Sequence, residues 1–453
     1  MVYRTARAGL RLTRGQRRRL IGLLISAGDV WACVLELTAW RRARQARPLA
    51  SYQELCRVLA ASGPGVFGEL DSAGARSVLR RYADAWFAAA KRRREGDATA
   101  RFPRRRRRMV PVRWYHGTFR LDGRVLQLPV ARGCPPLRVR LDRDVPYPAT
   151  QVRSVTLLFA AGRLWVEVTA EVPVAAYPAG QGPDPGRVAG VDLGIIHPYA
   201  VAGPGAQGLL VSGRAIRAEH RQHHYDAKAR RRAAARRAPK PGQRGSRRWR
   251  QHRRRQRRVE ARHRRRVTQA QHEAAAMVIG WAVQRRVGTV AVGDPRGVLA
   301  LAAGRRHNRR VRNWRVGHLI TALSDKAEQA GITMVLVDER GSSSTCPKCL
   351  KRVPKPSGRI FTCPHCGFTG HRDLVAAAHI AARAGGGITP VVAAGVTHRR
   401  AGSHLPGVSP ARRDPRRRPH HGRARASPGR HRPAPPAPTR GRQGVARHTA
   451  RTP

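Results

Sequence analysis

The stretch Val188-Ala189-Gly190-Val191-Asp192-Leu193-Gly194 decides how the chain folds. Its apolar residues predict a short buried strand that carries one carboxylate, Asp192, and ends at Gly194. A carboxylate in an apolar strand costs free energy unless it is paired or binds a cation. One interpretation is therefore a metal-binding or catalytic acid. The other is an Asp that caps a turn at the strand end, and the stretch alone leaves both open.

Four cysteines lie far downstream of that strand. They form two C-x-x-C pairs separated by a short loop: Cys346, Cys349, Cys363 and Cys366. Two such knuckles can close tetrahedrally on one Zn²⁺, and four thiolates leave no open position, so the spacing predicts a structural zinc site. A redox-active C-x-x-C is disfavoured because there are two pairs, and His365 and His371 are interpreted as bystanders. A second acid, Asp373, follows the cluster at once.

The charge of the chain is strongly positive. Its 453 residues contain 91 Lys and Arg against 26 Asp and Glu, a formal net charge of +65. Such an excess predicts a polyanionic partner, and nucleic acid is the natural one because each neutralised phosphate releases condensed counterions. A membrane surface is the runner-up, but we expect no run of about 20 apolar residues and no signal peptide. The sequence therefore predicts a cytoplasmic, nucleoid-associated protein with no membrane partner.

Three motifs resemble those of one known family. They are Gly190-Val191-Asp192-Leu193-Gly194, Ser342-Ser343-Ser344-Thr345-Cys346-Pro347-x-Cys349, and Cys363-Pro364-x-Cys366-Gly367 with Arg372-Asp373. In order and spacing, over roughly residues 1–385, they are similar to the TnpB (OrfB) proteins of bacterial insertion sequences, relatives of compact type V CRISPR effectors and of Fanzor nucleases. The resemblance implies an RNA-guided DNA endonuclease, with a guide RNA from the transposon end, a double-stranded DNA target and catalytic Mg²⁺.

The resemblance also implies three catalytic acids from separate segments. Phosphodiester cleavage of this kind uses two divalent ions about 4 Å apart, and Mg²⁺ prefers carboxylates and water as ligands. Asp192 and Asp373 correspond to the first and third acids of the family. Both are therefore expected to bind Mg²⁺.

The second acid departs from the family pattern. Most relatives end the fourth strand in Glu followed by Asp, whereas Gly293 stands here at the position of that Glu. Asp294 could substitute from the next position, although its side chain should point to the other face of the strand. We favour Glu339, which closes the fifth strand just before the zinc knuckle, as in relatives with a relocated Glu. An exposed Glu339 paired with Arg340 or Arg372, or a dead site, remains the alternative.

The predicted fold class is α+β and multidomain. N-terminal helices with a small antiparallel β-barrel are followed by a ribonuclease-H-like (RuvC) α/β domain that carries the zinc knuckle, and then by a basic tail. The order of strands and helices after residue 187 is that of a ribonuclease-H-like fold, although periodicity alone gives only an α/β domain with a mostly parallel end. Residues 1–12 are expected to form an edge strand.

The domain boundaries follow from shifts in composition. A Pro/Gly-rich segment at residues 178–185 is the best boundary, and the end of the chain has too few apolar residues for a core. We predict a recognition lobe with a wedge-like barrel (1–177), the first part of the RuvC-like domain with a basic helical insertion (187–340), a target-nucleic-acid-binding zinc insert (341–370), the last RuvC-like helix (371–384) and a disordered basic tail (385–453).

Two Arg-rich segments are candidate nucleic-acid contacts. A charge run is usually a solvated, flexible segment, but one of these leads into strands and the other is the polar half of a long predicted helix. The candidate contacts are Arg104, Arg105, Arg106, Arg247, Arg248, Arg250, Arg253 and Arg254.

Three functions remain open at this point. The leading one is an RNA-guided, Mg²⁺-dependent DNA endonuclease encoded by an insertion sequence. A nuclease-dead, RNA-guided DNA-binding repressor is the second, because Gly293 replaces the usual Glu. The third is an inactive transposon remnant that only binds nucleic acid. No Ser/His/Asp arrangement, P-loop, H-E-x-x-H motif or recombinase nucleophile is apparent in the sequence.

Overall fold

A computed structural model describes residues 1–63, 65, 67–104, 108–300, 304–354 and 358–405. The predicted tail beyond residue 405 and the candidate contacts Arg105 and Arg106 lie outside the described residues. All structural statements below concern the described ranges.

The chain begins with one strand and three helices. They are β1 (Val2–Arg11), α1 (Arg14–Ala43), α2 (Tyr52–Ala61) and α3 (Ser72–Arg94). Thr13 starts α1 with a capping box, because its hydroxyl accepts from the Gln16 N–H at 3.2 Å while Gln16 Oε1 accepts from the Thr13 N–H at 2.9 Å. The predicted N-terminal helices are therefore present.

Helix α1 is long and apolar enough to cross a membrane by length and composition alone, contrary to the expectation that the chain has no such run. One face of the helix, however, is buried in the core of the N-terminal region from Leu20 to Val34. Trp31, for example, packs edge-on against Tyr82 of α3 with ring centroids 5.3 Å apart. Burial against α3 accounts for the apolar face of α1.

Six further strands complete an antiparallel sheet with β1. They are β2 (Val112–Tyr115), β3 (Arg120–Asp122), β4 (Val125–Leu128), β5 (Leu137–Leu141), β6 (Val152–Ala160) and β7 (Arg163–Val172). The strand order is β2-β6-β7-β1-β5-β4-β3. Strands β3 and β4 form one hairpin and β6 and β7 another, and Gly123 and Gly162 in their turns adopt positive φ.

Two expectations about this sheet are wrong. Strand β1 lies in the middle, between β7 and β5, and is not an edge strand. Its partners follow more than 120 residues later, so no local pattern could reveal them. In addition, β2 and β3 are the two ends of the sheet and do not pair with each other in the part of the chain that is described, so hydrogen bonds do not close the predicted small barrel.

A second sheet begins after the Pro/Gly-rich segment. Its region contains β8 (Asp184–Asp192), β9 (Tyr199–Gly203), β10 (Gln207–Ser212), α4 (Arg214–Ala235), α5 (Arg247–Gln284), β11 (Val287–Asp294), α6 (Gly304–Trp314), α7 (Val316–Gln329), β12 (Thr333–Asp338), β13 (Ile360–Thr362), β14 (Thr369–His371), α8 (Arg372–Ala382) and β15 (Val396–Arg400). The strand order is β12-β11-β8-β9-β10-β15. Strands β8, β9 and β10 form an antiparallel meander, whereas β11 and β12 run parallel to β8.

Strand β15 corrects the predicted start of the disordered tail. It pairs in parallel with β10 from Gly208 to Ser212, and Val391 packs in a small core beside α8. The edge of β10 offers unpaired backbone groups, and β15 satisfies them. The prediction of disorder is therefore wrong for residues 385–405.

The two faces of the second sheet are covered by different helices. Val191 of β8 and Leu193, which directly follows the strand, belong to the core formed with the apolar half of α5 and with α7. On the other face, α8 packs through Leu374, Ala377 and Ala378 against β9 and β10. Small β13 and β14 pair with each other in the cysteine-rich segment that leads into α8.

Candidate functional site

Alternation along β8 puts Asp192 on the face that α8 covers. Val191 and Leu193 point to the opposite core, so Gly190 and Asp192 point toward α8. A Cβ at Gly190 would lie 1.9 Å from the carbonyl oxygen of Ala377. Only glycine therefore lets the α8 backbone come this close to the strand. The close approach brings Asp373, in the first turn of α8, to Asp192.

The side chain of Glu339 extends over Gly293. Val292 pairs with Val191, so Gly293 lies beside Asp192 on the neighbouring strand. A Cβ at Gly293 would be 2.9 Å from Glu339 Oε2 and 3.1 Å from Glu339 Cβ. The space that a larger residue at position 293 would fill is thus taken by Ile380, whose Cδ1 lies 2.7 Å from that point, and by Glu339.

Asp294, the alternative second acid, is engaged elsewhere. Arg296 donates to it through Nε at 2.8 and 2.9 Å and through Nη2 at 2.5 Å. The hydrogen bonds from Arg296 hold the pKa of Asp294 below its ordinary value. Asp294 therefore remains ionised, but as the partner of an arginine.

Glu339 and Asp373 both lie close enough to Asp192 for their charges to act on it. Burial raises the pKa of Asp192 well above its ordinary value, and the charges of Asp373 and Glu339 raise it further. Burial also raises the pKa of Glu339 to about 7, with contributions from Asp294 and Asp338. A carboxyl whose pKa is raised by burial and by two neighbouring acids, as that of Asp192 is, is a group that a bound cation stabilises in its ionised form.

Glu339 also carries an unsatisfied atom. Its Oε2 is buried and has no hydrogen-bond partner among the described residues. A buried carboxylate oxygen without a donor is costly. The all-carboxylate donor set and this orphaned oxygen together fit a hard divalent cation such as Mg²⁺.

Asp373 is held by two side chains that the sequence did not reveal. His197 Nδ1 donates to Oδ2 at 2.9 Å, and Arg359 Nη1 donates to Oδ1 and Oδ2 at 2.8 and 2.9 Å. Although burial would raise the pKa of Asp373, the His197 hydrogen bond and the Arg359 charge bring it below the ordinary value. No motif marks either residue, because His197 lies in the loop after β8 and Arg359 just before β13.

The four cysteines form a cluster that fits a zinc ion. Their Sγ atoms all lie within 4.8 Å of one another, with Cys346 and Cys366 3.6 Å apart and Cys349 and Cys363 also 3.6 Å apart. Four sulfurs bound at 2.3 Å to one tetrahedral ion would be about 3.8 Å apart. The cluster is therefore arranged for tetrahedral thiolate coordination.

The two knuckles share one backbone conformation. The N–H of Leu350 donates to Cys346 O at 3.0 Å, and the N–H of Gly367 donates to Cys363 O at 3.1 Å. Leu350 and Gly367 have φ of 60° and 67°. Leu350 thus adopts the left-handed conformation that glycine adopts in the second knuckle, at a cost that glycine avoids.

The cysteine cluster is attached directly to α8. His379 Nε2 donates to Thr345 O at 2.9 Å, and the N–H of Arg372 donates to Arg359 O at 2.8 Å. The fold of the cysteine-rich segment therefore determines where Arg359 stands relative to Asp373.

The candidate nucleic-acid contacts lie mostly on the polar half of α5. Arg247, Arg248, Arg253 and Arg254 are exposed there, Arg250 is partly buried, and Arg104 is exposed just before the undescribed residues 105–107. Arg254 also lines a cavity of about 430 Å³. The other lining residues are Arg17, Phe159, Ala161, Gly162, Arg257 and Arg258. Arg257, Arg258 and Phe159 were not singled out by the sequence, because β6 and α5 are far apart along the chain.

Two family models match segments of the chain. The OrfB_IS605 model, described as "Probable transposase", matches residues 166–299, and the "Cas12f1-like, TNB domain" model matches residues 317–380. The two segments include Asp192 and all four cysteines together with Asp373 and Glu339.

One curated relative and one solved structure are also similar. The CRISPR-associated endodeoxyribonuclease Cas12f1 of Syntrophomonas palmitatica is 24% identical over 111 residues, which is 24% of this chain and 22% of the relative. The chain thus matches about a fifth of that relative's length. A cryo-EM structure of a Cas12f1-sgRNA-target DNA complex aligns with a TM-score of 0.53 at 14% identity, over 81% of this chain and 82% of that chain.

The likeness to the solved structure concerns the fold alone, which is α+β as predicted. The family models concern the sequence, and they cover the strand with Asp192 and the cysteine-rich segment. The chain therefore carries an OrfB-type transposase segment followed by a Cas12f1-like TNB segment, which confirms its resemblance to the TnpB/OrfB family of insertion-sequence proteins.

Proposed function

We propose that this protein is an RNA-guided, Mg²⁺-dependent DNA endonuclease of the TnpB kind, encoded by an insertion sequence and active in the bacterial cytoplasm. The observation that carries the proposal is the meeting of Asp192, Glu339 and Asp373, in which the pKa of Asp192 is raised by both other acids. One buried carboxyl, Asp373, and two half-buried ones, Asp192 and Glu339, come from three separate segments, and such a group of acids costs free energy unless a cation binds it.

The sheet topology supports a RuvC-like assignment. An antiparallel meander of three strands, followed by two strands parallel to the first, is the arrangement expected of a ribonuclease-H-like domain. In this proposal residues 187–340 and 371–384 form the nuclease domain, residues 341–370 form the zinc insert that contacts the target, and residues 1–177 form the recognition lobe and wedge.

Each acid has a distinct role in the proposed site. Asp192 and Asp373 hold Mg²⁺ from the strand and the helix, and Glu339 supplies the second acid from the end of β12. Bound Mg²⁺ would lower the pKa of water and stabilise charge on the leaving oxygen. His197 and Arg359 keep Asp373 ionised and oriented. The thiolates of Cys346, Cys349, Cys363 and Cys366 hold a structural Zn²⁺.

The positive charge supports an RNA partner and a DNA partner together. The exposed arginines of α5 line a surface suited to a phosphate backbone, and the Cas12f1 structure that aligns with this chain is a complex with sgRNA and target DNA. In guided systems base pairing supplies sequence specificity while the protein holds the duplex through its backbone. A guide RNA from the transposon end is the expected partner here.

Plasmid cleavage tests the proposal. The protein is co-expressed with RNA from its own locus and incubated with Mg²⁺ and a target that carries a randomised flank. We expect wild type to cut, Asp192→Asn and Glu339→Gln to lose at least a hundredfold in rate, and the matched control Asp294→Asn to retain cleavage.

Other outcomes point elsewhere. Loss of cleavage in Asp294→Asn but not in Glu339→Gln would place the second acid on β11. Guided binding without any cleavage by wild type would identify a DNA-binding repressor. The absence of a specific co-purifying RNA would overturn the guided proposal.

A further inference from the structure

The cavity of about 430 Å³ that Arg254 lines lies between the start of α1, the β6–β7 hairpin and α5, and we call it the α5 cavity. Four of its lining residues are arginines and none is acidic: they are Arg17, Arg254, Arg257 and Arg258. None of these four forms an ion pair with an acid in the described part of the chain. Positive groups gathered without an acid repel one another, so the cavity suits an anion.

A second cavity continues the positive surface along α5. Its volume is about 390 Å³, and it is lined by Arg247, Arg250, Gln251 and Arg254, so that Arg254 borders both cavities. Residues four apart on a helix lie on one side of it, about 6 Å apart along its axis, so Arg250, Arg254 and Arg258 form a row. A row of arginines suits a strand with a phosphate on each unit, whereas a single small anion would fill only part of it.

The α5 cavity also contains an aromatic ring. Val155 and Leu157 of β6 are buried in the N-terminal core, and alternation along the strand puts Phe159 on the same face. Phe159 is nonetheless 36% exposed, and it lines the cavity. An exposed aromatic ring beside a positively charged groove is the combination by which proteins hold single strands, because a base stacks on the ring while its phosphates contact the cations.

A tight hairpin holds Phe159 in place. Ala161 and Gly162 form a two-residue turn between β6 and β7, with φ of 52° and 82°. Positive φ at both positions is typical of the turns that match the twist of paired strands. Trp165 Nε1 donates to Ala160 O at 3.2 Å beside this turn. The ring is therefore presented by a short, fixed segment, and little ordering is needed when a ligand binds.

We propose that the α5 cavity binds one unpaired nucleotide of a nucleic-acid strand, with its base stacked on Phe159 and its phosphates on Arg254, Arg257 and Arg258. A base inside a duplex is covered on both faces by its neighbours, so only an unpaired base can cover the ring. The cavity volume lies within the range of small-ligand pockets, about 300–1,000 Å³, which suits one nucleotide and excludes a duplex.

This inference deepens the nucleic-acid contact of the proposed function. It rests on that function for the identity of the strand, but not for the stacking of a base. RNA and single-stranded DNA share the chemistry that the cavity recognises, and the experiment below separates the two sources.

Binding of short oligonucleotides tests the inference without any cleavage assay. The full-length, zinc-loaded protein is titrated with three fluorescein-labelled RNA probes of about ten nucleotides: oligouridine, an abasic strand with the same phosphates, and a duplex. Phe159→Leu keeps an apolar side chain but removes the aromatic face. It should weaken binding of oligouridine about fivefold or more, as the loss of one stacked base predicts, and leave the other two probes unchanged. Phe87→Leu, which changes an exposed phenylalanine of α3 outside the cavity, is the matched control.

A photochemical crosslink locates the base. Oligouridine that contains 5-iodouridine crosslinks under ultraviolet light to an aromatic ring on which the base stacks, and we expect the crosslinked peptide to contain Phe159. The deoxy counterpart of the probe identifies the source. The strand, RNA or DNA, whose binding Phe159→Leu weakens more is the one that the cavity holds.

The outcomes separate the inference from the nuclease proposal. Unchanged binding of both oligonucleotides by Phe159→Leu, or crosslinks only outside β6, would overturn the inference even if the protein cuts guided DNA. An equal loss for the abasic probe would show that Phe159 acts on the fold, and would overturn it as well. A base stacked on Phe159 in a protein that never cuts would support the inference and refute only the nuclease.

Discussion

Glu339 fills the space that the missing side chain of Gly293 leaves. The Oε2 atom of Glu339 lies 2.9 Å from the point at which a Cβ of residue 293 would stand, although Gly293 is on β11 and Glu339 follows the neighbouring strand β12. A parallel strand can present a side chain to the same place only if the residue beside it is small. The glycine on β11 and the acid after β12 are therefore one arrangement rather than two separate departures from the family.

Exchange of the two residues tests this arrangement. We expect Glu339→Ala to lose at least a hundredfold in cleavage rate, and Gly293→Glu in the Glu339→Ala background to recover a tenfold or larger part of it, because the carboxylate returns from the other strand. Gly293→Glu alone should be impaired, since two acids would compete for one space. Guided cleavage rates of the three variants measure the effect. If Glu339→Ala and the double variant with Gly293→Glu cleave at the same rate, the glycine and the acid do not form one arrangement.

The raised pKa of Glu339 predicts a pH dependence of stability. Its pKa of about 7 in the folded state exceeds the ordinary value of 4.5, so between these pH values the folded state binds more protons than the unfolded state. The free energy of unfolding of the zinc-loaded protein without added Mg²⁺ should therefore fall as the pH rises from 5 to 8. Glu339→Gln should make the free energy of unfolding fall less over this range. Part of the fall should remain, because the pKa of Asp192 is also raised in the folded state.

Thermal unfolding at pH 5.5 and pH 8 measures this dependence. The buffer contains no chelator, so that the cysteines keep their zinc. Asp144→Asn is the matched control, because Arg124 lowers the pKa of Asp144 and its titration falls below this pH range. A slope unchanged by Glu339→Gln would show that Glu339 does not titrate there.

Local patterns in the sequence could predict much of this site but not its surroundings. The helix periodicity, the C-x-x-C spacing and the alternation that turns Asp294 away from Asp192 are all read within a few residues. Non-local partners decide the rest. Strand β15 pairs with a strand almost 190 residues earlier, and Arg359 reaches Asp373 because β13 is held against the start of α8. No spacing rule carries such information.

Loss of one cysteine should release the zinc ion. Cys346→Ser removes a buried ligand from a four-thiolate set, and the remaining three bind zinc far less tightly. We expect about one zinc per chain in wild type and much less in the variant, together with faster hydrogen exchange in β13. Cys134→Ser, which changes an exposed cysteine outside the cluster, should keep its zinc. Elemental analysis measures the zinc content of wild type and of both variants. Equal zinc content in wild type and Cys346→Ser would refute the proposed site.

The left-handed conformation of Leu350 predicts a stabilising substitution. An L-residue pays about 1–2 kcal/mol for this conformation, and the extra freedom of glycine in the unfolded chain returns roughly 0.5–1 kcal/mol. Leu350→Gly should therefore stabilise the zinc-loaded segment by about 0.5–1 kcal/mol. Leu350→Ala is the control, because it removes the exposed side chain and keeps the strain. Denaturant unfolding measures both, and a destabilised Leu350→Gly would contradict the argument.

The arginines of the α5 cavity should determine the salt dependence of RNA binding. Each phosphate contact that is lost lowers the slope of log affinity against log salt by about 0.7 for single-stranded RNA and about 0.9 for a duplex. Arg254→Gln, Arg257→Gln and Arg258→Gln, which line one cavity with Phe159, should each reduce the slope by about that amount. Arg143→Gln, an exposed arginine beside Asp142, should leave it unchanged. Filter binding of RNA from the native locus between 50 and 300 mM salt measures the slopes. If the three variants bind more weakly with an unchanged slope, these arginines act on the fold and do not contact phosphate.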